Sequence, residues 1–326
     1  MVMIPVIFAC DDNYAMPCAV AITSLFANRA RDSAYGVHIL TDRLLANTRK
    51  RLLSLATAPN TIEIIESGAL TQSSAYCSLV EGHAYLSVAI FLRLHAAELL
   101  PSIDKAIYLD ADLVVEEDLA NLFNTELGDA YAAGVRALTI LRLPPANRKP
   151  LIEPYFNSGV LLLNLARMRA ERIGQQLHDS IAKHRFPCHD QDALNFVFKG
   201  NVVWLSPRYN YCTPYDAICS HREAAAFFGV PVQEWRMIRR SPSIIHYIYD
   251  KPWRCRLALR GGRWRRYFRI SPYNDTRLAW IFSARMLATA LLAACLPARL
   301  WPWIRRGYVR LRYHNALVDG QTLSLS

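Results

Sequence analysis

The stretch Lys105–Val115, KAIYLDADLVV, sets two carboxylates between two apolar runs. Its first half contains Ile107, Tyr108 and Leu109 and reads as a buried strand, because β-branched and aromatic side chains fit a pleated, covered surface. Asp110 and Asp112 follow at its carboxyl end, and Leu113, Val114 and Val115 resume the apolar run. Two like charges beside a buried strand repel each other and lose hydration, so they need compensation. A divalent cation is one compensator; solvent exposure at the strand end is the other.

Working outward, the preceding residues alternate between two periods. Met3–Cys10 is predicted as a strand, and Asp11-Asp12-Asn13 as the cap of a helix over Ala15–Ala27. Tyr35–Leu40 and Thr61–Ile65 read as strands, separated by a helix over Leu44–Ala56. Ser87–Leu99 reads as a further helix with Ile90, Phe91, Leu94 and Ala97 on one side. This βαβαβ rhythm predicts an α/β fold with a mainly parallel sheet and helices on its faces. Ligands in such sheets bind beyond the carboxyl ends of the strands. Asp11-Asp12 and Asp110-Ala111-Asp112 both occupy such ends.

Downstream, strands are predicted at Tyr131–Val135, Val160–Leu163, Val202–Leu205 and Ile244–Tyr247. A long helix is predicted over Leu165–His184 and a short one over Asp190–Phe198. The Pro- and Arg-rich segment Thr139–Pro154 reads as a long loop of the kind used for lids or binding elements.

A chain of 326 residues, 52% hydrophobic and 20% charged, is globular and large enough for a sizeable core. Its eight cysteines form no CxxC pair and no zinc-like spacing, and MVMIPVIFAC lacks the basic start of a secretory signal. A reducing cytoplasm is the compartment expected. The net charge of +11 is unevenly placed: residues 1–250 balance to −2, whereas 251–326 balance to +13. That asymmetry predicts a body over 1–255 and a basic, aromatic and apolar tail over 256–326 with its own partner.

Within the tail, Leu278–Leu296 is nearly all apolar, interrupted by Arg285 and ended by Pro297. The uninterrupted stretch is too short to span a bilayer, which needs about 20 apolar residues. The continuation ARLWPWIRRGYVRLRYH interleaves Trp and Tyr with Arg. An interfacial helix on an anionic membrane fits this pattern better than nucleic acid does, because the apolar stretch adjoins the basic one. Docking of the tail on the body is the third reading.

A lone Asp-x-Asp is weak: among 16 Asp about one such pair is expected by chance, and there are two. The second, Asp190-Gln191-Asp192, has helix capping as its plain reading. The first follows a strand, and its oxygens suit Mn2+ or Mg2+ bridging to a diphosphate. In SIIHYIYDKPW (243–253), His246 ends an apolar run and Lys251 follows it. An imidazole beside two carboxylates favours Mn2+ over Mg2+, and a lysine can meet a phosphate as a point charge. His246 also reads as an ordinary hydrogen-bonded strand-end histidine. No Walker loop, dinucleotide loop or Gly-x-Ser-x-Gly is present, which sets aside common kinases, dehydrogenases and hydrolases.

FACDDNY (8–14), IYLDADLVV (107–115), YFNSGVLLLNL (155–165), HDQDALNFVF (189–198) and IIHYIYDKPW (244–253) occur in this order. Together they resemble glycosyltransferase family 8, the retaining bacterial lipopolysaccharide galactosyl- and glucosyltransferase type, over residues 1 to about 253. The resemblance implies a GT-A fold, with a single Rossmann-like mixed sheet, a UDP-hexose donor and Mn2+, with Mg2+ as the other candidate. By position, Asp110, Asp112 and His246 match the metal ligands of that family. Asp11, Asn13 and Tyr14 match its uridine-binding segment, and Arg93 a basic residue near the donor sugar and phosphates. Asn157 and Ser158 match the segment facing the sugar, and Asp190 a carboxylate that binds sugar hydroxyls. Gln191 matches the glutamine beneath the anomeric carbon, and Lys251 the diphosphate-binding lysine.

The chain departs from the family in lacking Gly shortly after His246 and in reading Gly134-Val135-Arg136 where some relatives carry an acidic acceptor-binding residue. Its tail resembles the membrane-attaching tails of bacterial members. That implies a saccharide or lipid-linked saccharide acceptor, a cytoplasmic location peripheral to the inner face of the membrane, and no nucleic acid partner. The reading from another class is a membrane-tethered sugar-nucleotide-binding protein without turnover; a nucleotidyltransferase or nuclease leaves four of the five blocks unexplained.

Overall fold

A computed structural model describes residues 2–278 except 69, 71–75, 78–87, 139–153, 185, 187 and 257. The predicted loop lies almost wholly outside the described residues, as does the tail from 279 onward.

Among the described residues, ten strands form two sheets. They are β1 (Val2–Ala9), β2 (Ser33–Thr41), β3 (Thr61–Glu66), β4 (Lys105–Leu109), β5 (Leu113–Val115), β6 (Ala132–Arg136), β7 (Phe156–Asn164), β8 (Val202–Trp204), β9 (Tyr211–Cys212) and β10 (Ile244–His246). The large sheet has seven strands in the order β3-β2-β1-β4-β7-β6-β8. Neighbours from β3 to β4 run parallel, β7 runs antiparallel to β4 and β6, and β8 is parallel to β6. The expected mainly parallel mixed sheet is therefore present.

Both faces of this sheet are covered, which explains why its central strands read as continuous apolar runs. Side chains alternate between faces with period two. Ile4, Val6, Phe8, Ile107 and Leu109 pack toward the Ala15–Ala27 helix. Ile7, Ala106 and Tyr108 point the other way, toward Phe91, Met168 and Leu177. Full burial of each such Val, Leu, Ile or Phe side chain contributes about 1.5–3 kcal/mol.

The opening stretch is not one strand. Its two apolar halves, β4 and β5, belong to different sheets, because β5 turns away to join a small sheet ordered β5-β10-β9. Leu113 pairs antiparallel with His246, and His246 pairs parallel with Cys212. Two backbone bonds pin the turn between the halves: Asp110 N–H donates to Gly159 O at 2.8 Å, and Tyr247 N–H to Asp112 O at 2.9 Å. The paired aspartates thus lie where the chain crosses between sheets.

Two predicted helices are modified. Leu165–His184 is divided into Leu165–Ala170 and Ile173–Lys183 by Arg172 in the left-handed region at φ 52°. The break brings Gly174 so close to Glu98 that a Cβ there would lie 2.3 Å from Oε1. The described part of Ser87–Leu99 is a 3-10 helix over Val88–His95 followed by one α turn over Ala96–Leu99. Buried side chains surround it on most sides.

Beyond residue 256, the Gly261–Phe268 helix lays Trp264, Tyr267 and Phe268 against Val20, Val114, Ile245 and Trp253. Arg51 then grips Asp275 with two bonds of 2.9 Å. Among the described residues no helix is long and apolar enough to cross a membrane.

Candidate active site

The crossover from β4 to β5 carries Asp110 and Asp112, and β10 brings His246 beside them. One ligand atom from each of the three lies within 4.8 Å of the others. His246 Nε2 is 3.0 Å from Asp112 Oδ1 and 3.7 Å from Asp110 Oδ2. Gly159 of β7 forms the floor: a Cβ there would stand 2.2 Å from His246 Cε1 and 2.7 Å from Asp110 Oδ2. Only glycine lets the backbone come so near. Two carboxylates and an imidazole around such a cradle are a donor set that fits Mn2+ or Mg2+.

Cations close the cluster on both sides. Lys251 pairs with Asp112 and donates to Tyr247 O at 2.7 Å. Arg93, on the 3-10 segment, places Nη2 2.8 Å from Asp110 Oδ1 and Nε 3.0 Å from Asp190 Oδ2, with its guanidinium over the Tyr108 ring. Burial pushes the Asp112 carboxyl upward, yet Lys251 and His246 override it and hold it well below the usual carboxylate range. Burial opposes the charged imidazole of His246, yet Asp112 raises it to about 10. Lys251 is likewise raised by Asp112 against its burial. Asp190 is raised by burial, with Arg93 opposing and Asp110 adding to the rise. Arg93 is raised by Asp110 and Asp190 despite being buried, so it stays charged.

A second group adjoins the first through β7. The oxygen of Gln191 accepts from Ser158 N–H at 3.0 Å and from Asn157 Nδ2 at 3.1 Å. Its nitrogen donates to Tyr155 Oη at 2.9 Å. Tyr155 in turn donates to Asp192, which also accepts from Cys188 N–H at 2.8 Å. Arg93 Nη1 donates to Ser158 O and Oγ, both at 3.2 Å. Asp190 and Gln191 lie in the first turn of the His189–Val197 helix, whose N-cap residue Cys188 makes no side-chain cap bond of its own but donates its N–H to Asp192. The plain capping reading thus holds for Asp192, whereas Asp190 in addition pairs with Arg93 in the site.

The turn after β1 supplies the remaining residues. Asp11 accepts from Tyr14 N–H at 2.9 Å and from Asn13 Nδ2 at 3.3 Å, which folds the turn on itself. Asp12 caps the next helix instead, accepting from Leu45 N–H at 3.2 Å. Tyr14 meets Trp253 edge to face at 6.1 Å, and its hydroxyl, raised by burial, feels Lys251 and Asp112. The structure thus gathers Asp110, Asp112, His246, Lys251, Arg93, Asp190, Asn157, Ser158 and Gln191 around one centre, with Tyr14 at its edge. The hydrogen bonds of Asp11 and Asn13 lie within their own turn.

Sequence reasoning missed Gly159, Tyr108, Tyr155 and Asn210. A glycine inside the apolar run of β7 was itself a signal of close backbone approach. Tyr108 donates to Asp110 Oδ1 at 3.0 Å, and Asn210 joins Asn157 to His246. Neither stands in a pattern that sets it apart from a core tyrosine or a turn asparagine.

The model of "Glycosyl transferase family 8" matches residues 5–256. A Haemophilus influenzae relative is 29% identical over 216 residues, 65% of this chain and 64% of its own length. The lipopolysaccharide 1,2-glucosyltransferase of Escherichia coli is 27% identical over 254 residues, 74% of this chain and 71% of that enzyme. GlyE of Streptococcus pneumoniae is 34% identical over 153 residues, but the match spans only 34% of its length. Among solved structures, the galactosyltransferase LgtC with donor and acceptor sugar analogues superposes with a TM-score of 0.67 at 25% identity. That superposition covers 82% of this chain and 96% of LgtC.

Proposed function

The chain belongs to glycosyltransferase family 8 and has the GT-A fold of its solved relatives, and from that premise we propose that it is a retaining hexosyltransferase. The donor is a UDP-hexose, galactose or glucose. The acceptor is a saccharide, of lipopolysaccharide core or another cell-surface glycan. The observation that carries this reading is the convergence of Asp110, Asp112 and His246 within 4.8 Å, flanked by Lys251 and Arg93.

Asp110, Asp112 and His246 would hold Mn2+, or Mg2+ in its place. When bound, the ion supplies Lewis-acid charge to the diphosphate. Lys251 adds a point charge for the leaving phosphate, and its buried position strengthens that charge. Arg93 holds Asp190 in place for sugar hydroxyls. In the transfer, the bond from the anomeric carbon to the UDP oxygen breaks and its electron pair stays on that phosphate oxygen. The acceptor hydroxyl bonds to the anomeric carbon on the same face, and its proton passes to the departing phosphate. Gln191 acts as a fixed dipole beside the developing positive charge. Its oxygen already accepts two strong donors, which suits an oriented dipole and not a nucleophile. Tyr14, at the edge of the site, takes the uracil ring, with Asp11 and Asn13 shaping its turn.

The tail from about residue 279 onward places this site at the cytoplasmic face of an anionic membrane, where a lipid-linked acceptor is presented. A donor screen tests the proposal: the purified chain should hydrolyse one UDP-hexose with Mn2+ present and not after chelation. Tight UDP-sugar binding without turnover, even with candidate acceptors added, would favour a silent sugar-nucleotide binder.

A further inference from the structure

Asn210 ends the Pro207–Asn210 turn just before β9 and is fully buried. It falls in none of the five sequence blocks, yet its carboxamide touches both halves of the site. Backbone N–H groups only donate, and two of them orient every amide here. Ser158 N–H faces Gln191 at 3.0 Å, so the facing atom is the Gln191 oxygen. Gly159 N–H faces Asn157 at 3.1 Å, which makes that atom Oδ1 and sends Asn157 Nδ2 to the Gln191 oxygen.

Asn157 Oδ1 also receives Asn210 at 2.8 Å, and since it only accepts, the Asn210 atom is Nδ2. The remaining atom of Asn210, its oxygen, faces His246 Nδ1 at 3.0 Å, with the Cys212 thiol a weaker neighbour at 3.7 Å. Nδ1 therefore carries a proton in either charge state of the ring. Nε2 is left as the nitrogen that can offer a lone pair, and it is the one facing Asp112 and Asp110.

We propose that Asn210 is the positioning residue for the metal-binding imidazole, fixing the tautomer and rotation of His246 so that Nε2 faces the paired aspartates. Metal-ligating histidines characteristically donate their other N–H to an oxygen, and loss of that partner weakens metal binding. The inference rests on the reading of Asp110, Asp112 and His246 as a divalent-cation site.

Calorimetric titration of Mn2+ into the full chain, with UDP present, tests it on the wild type, Asn210→Asp and Asn210→Leu. Aspartate keeps an oxygen for the Nδ1 proton but gives up the donor to Asn157; leucine gives up both. Asn210→Leu should weaken Mn2+ by roughly 10–100-fold, while Asn210→Asp should stay within about threefold of the wild type. In the Mg2+-loaded protein, nitrogen NMR should show His246 protonated at Nδ1. Wild-type affinity in Asn210→Leu, or equal losses in both folded variants, would overturn the role, the latter assigning it to the Asn157 bond. If the leucine variant does not fold, the aspartate variant decides: near wild-type affinity supports the role and a tenfold loss overturns it. A wild type that takes up no Mn2+ sinks the metal site itself, whereas uptake unchanged by Asn210→Leu sinks only the role of Asn210.

Discussion

Asp112 is the residue around which the site's charges are arranged, since Lys251 and His246 both pair with it while it is buried. Lys251 and His246 balance this carboxylate, and a divalent ion bound there would displace a proton from His246 Nε2. Because that imidazole is raised to about 10, Mn2+ uptake at pH 7 should release about one proton, and affinity should rise with pH. Calorimetry in two buffers of different ionisation heat would measure this; identical heats would contradict it. Gly159→Ala offers a steric probe, since its Cβ would collide with both His246 and Asp110. Donor hydrolysis should fall by about a hundredfold, as expected when reacting groups are displaced by an ångström. Gly134→Ala, whose Cβ would crowd the end of the Leu161 side chain at 3.1 Å and touch Phe156 at an ordinary 3.5 Å, should be far milder in the same assay. Asp110, Asp112, Asp190, His246 and Lys251 were legible in the sequence because strand ends and ordered blocks mark them, whereas Arg93 was reached only through the family resemblance. Asn157, Ser158 and Gln191 were named from the same blocks, but Tyr108, Tyr155 and Asn210 were not, because a buried asparagine or tyrosine shows its partners only after folding.

At the scale of elements, strands were read well where both faces are buried and the apolar run is unbroken, as in β1 and β4, whereas β7, predicted over Val160–Leu163, begins at Phe156 because Asn157, Ser158 and Gly159 interrupt its run. Where β4 ended and β5 began was hidden, since pairing of Leu113 with His246 joins residues 133 positions apart in the chain. The Leu165–His184 helix was not read as two pieces, because the close approach of Gly174 to Glu98 is a tertiary contact. The 3-10 segment ends at His95, whose Nε2 is hydrogen-bonded with Tyr76 Oη at 2.8 Å. Burial, with His178 adding, lowers His95 from 6.5 to about 4. The folded chain keeps it neutral where the unfolded chain takes up a proton. Its contribution is therefore fully present above pH 6.5 and is lost as pH falls toward 4. Urea midpoints should drop more steeply from pH 7 to pH 5 in the wild type than in His95→Gln; parallel curves would remove His95 as a source of acid sensitivity.

Over the whole molecule, the body is near neutral and the positive excess lies beyond residue 250. Part of that excess packs on the body, because Trp264 and Tyr267 are fully buried and Asp275 pairs with Arg51. A cut after residue 278 should therefore keep donor hydrolysis while abolishing sedimentation with anionic vesicles. A cut after residue 260 should destabilise the body as well, and vesicle binding that survives the first cut would refute the tail's role. The central claim is that a divalent ion held by Asp110, Asp112 and His246 grips the diphosphate of a UDP-hexose. Calorimetric titration of UDP into the full chain, with and without Mn2+, tests it most directly, with Asp110→Asn as the control. The account predicts saturable UDP binding with Mn2+ that is lost on chelation and in the variant; binding that is indifferent to Mn2+, or no binding at all, would contradict it.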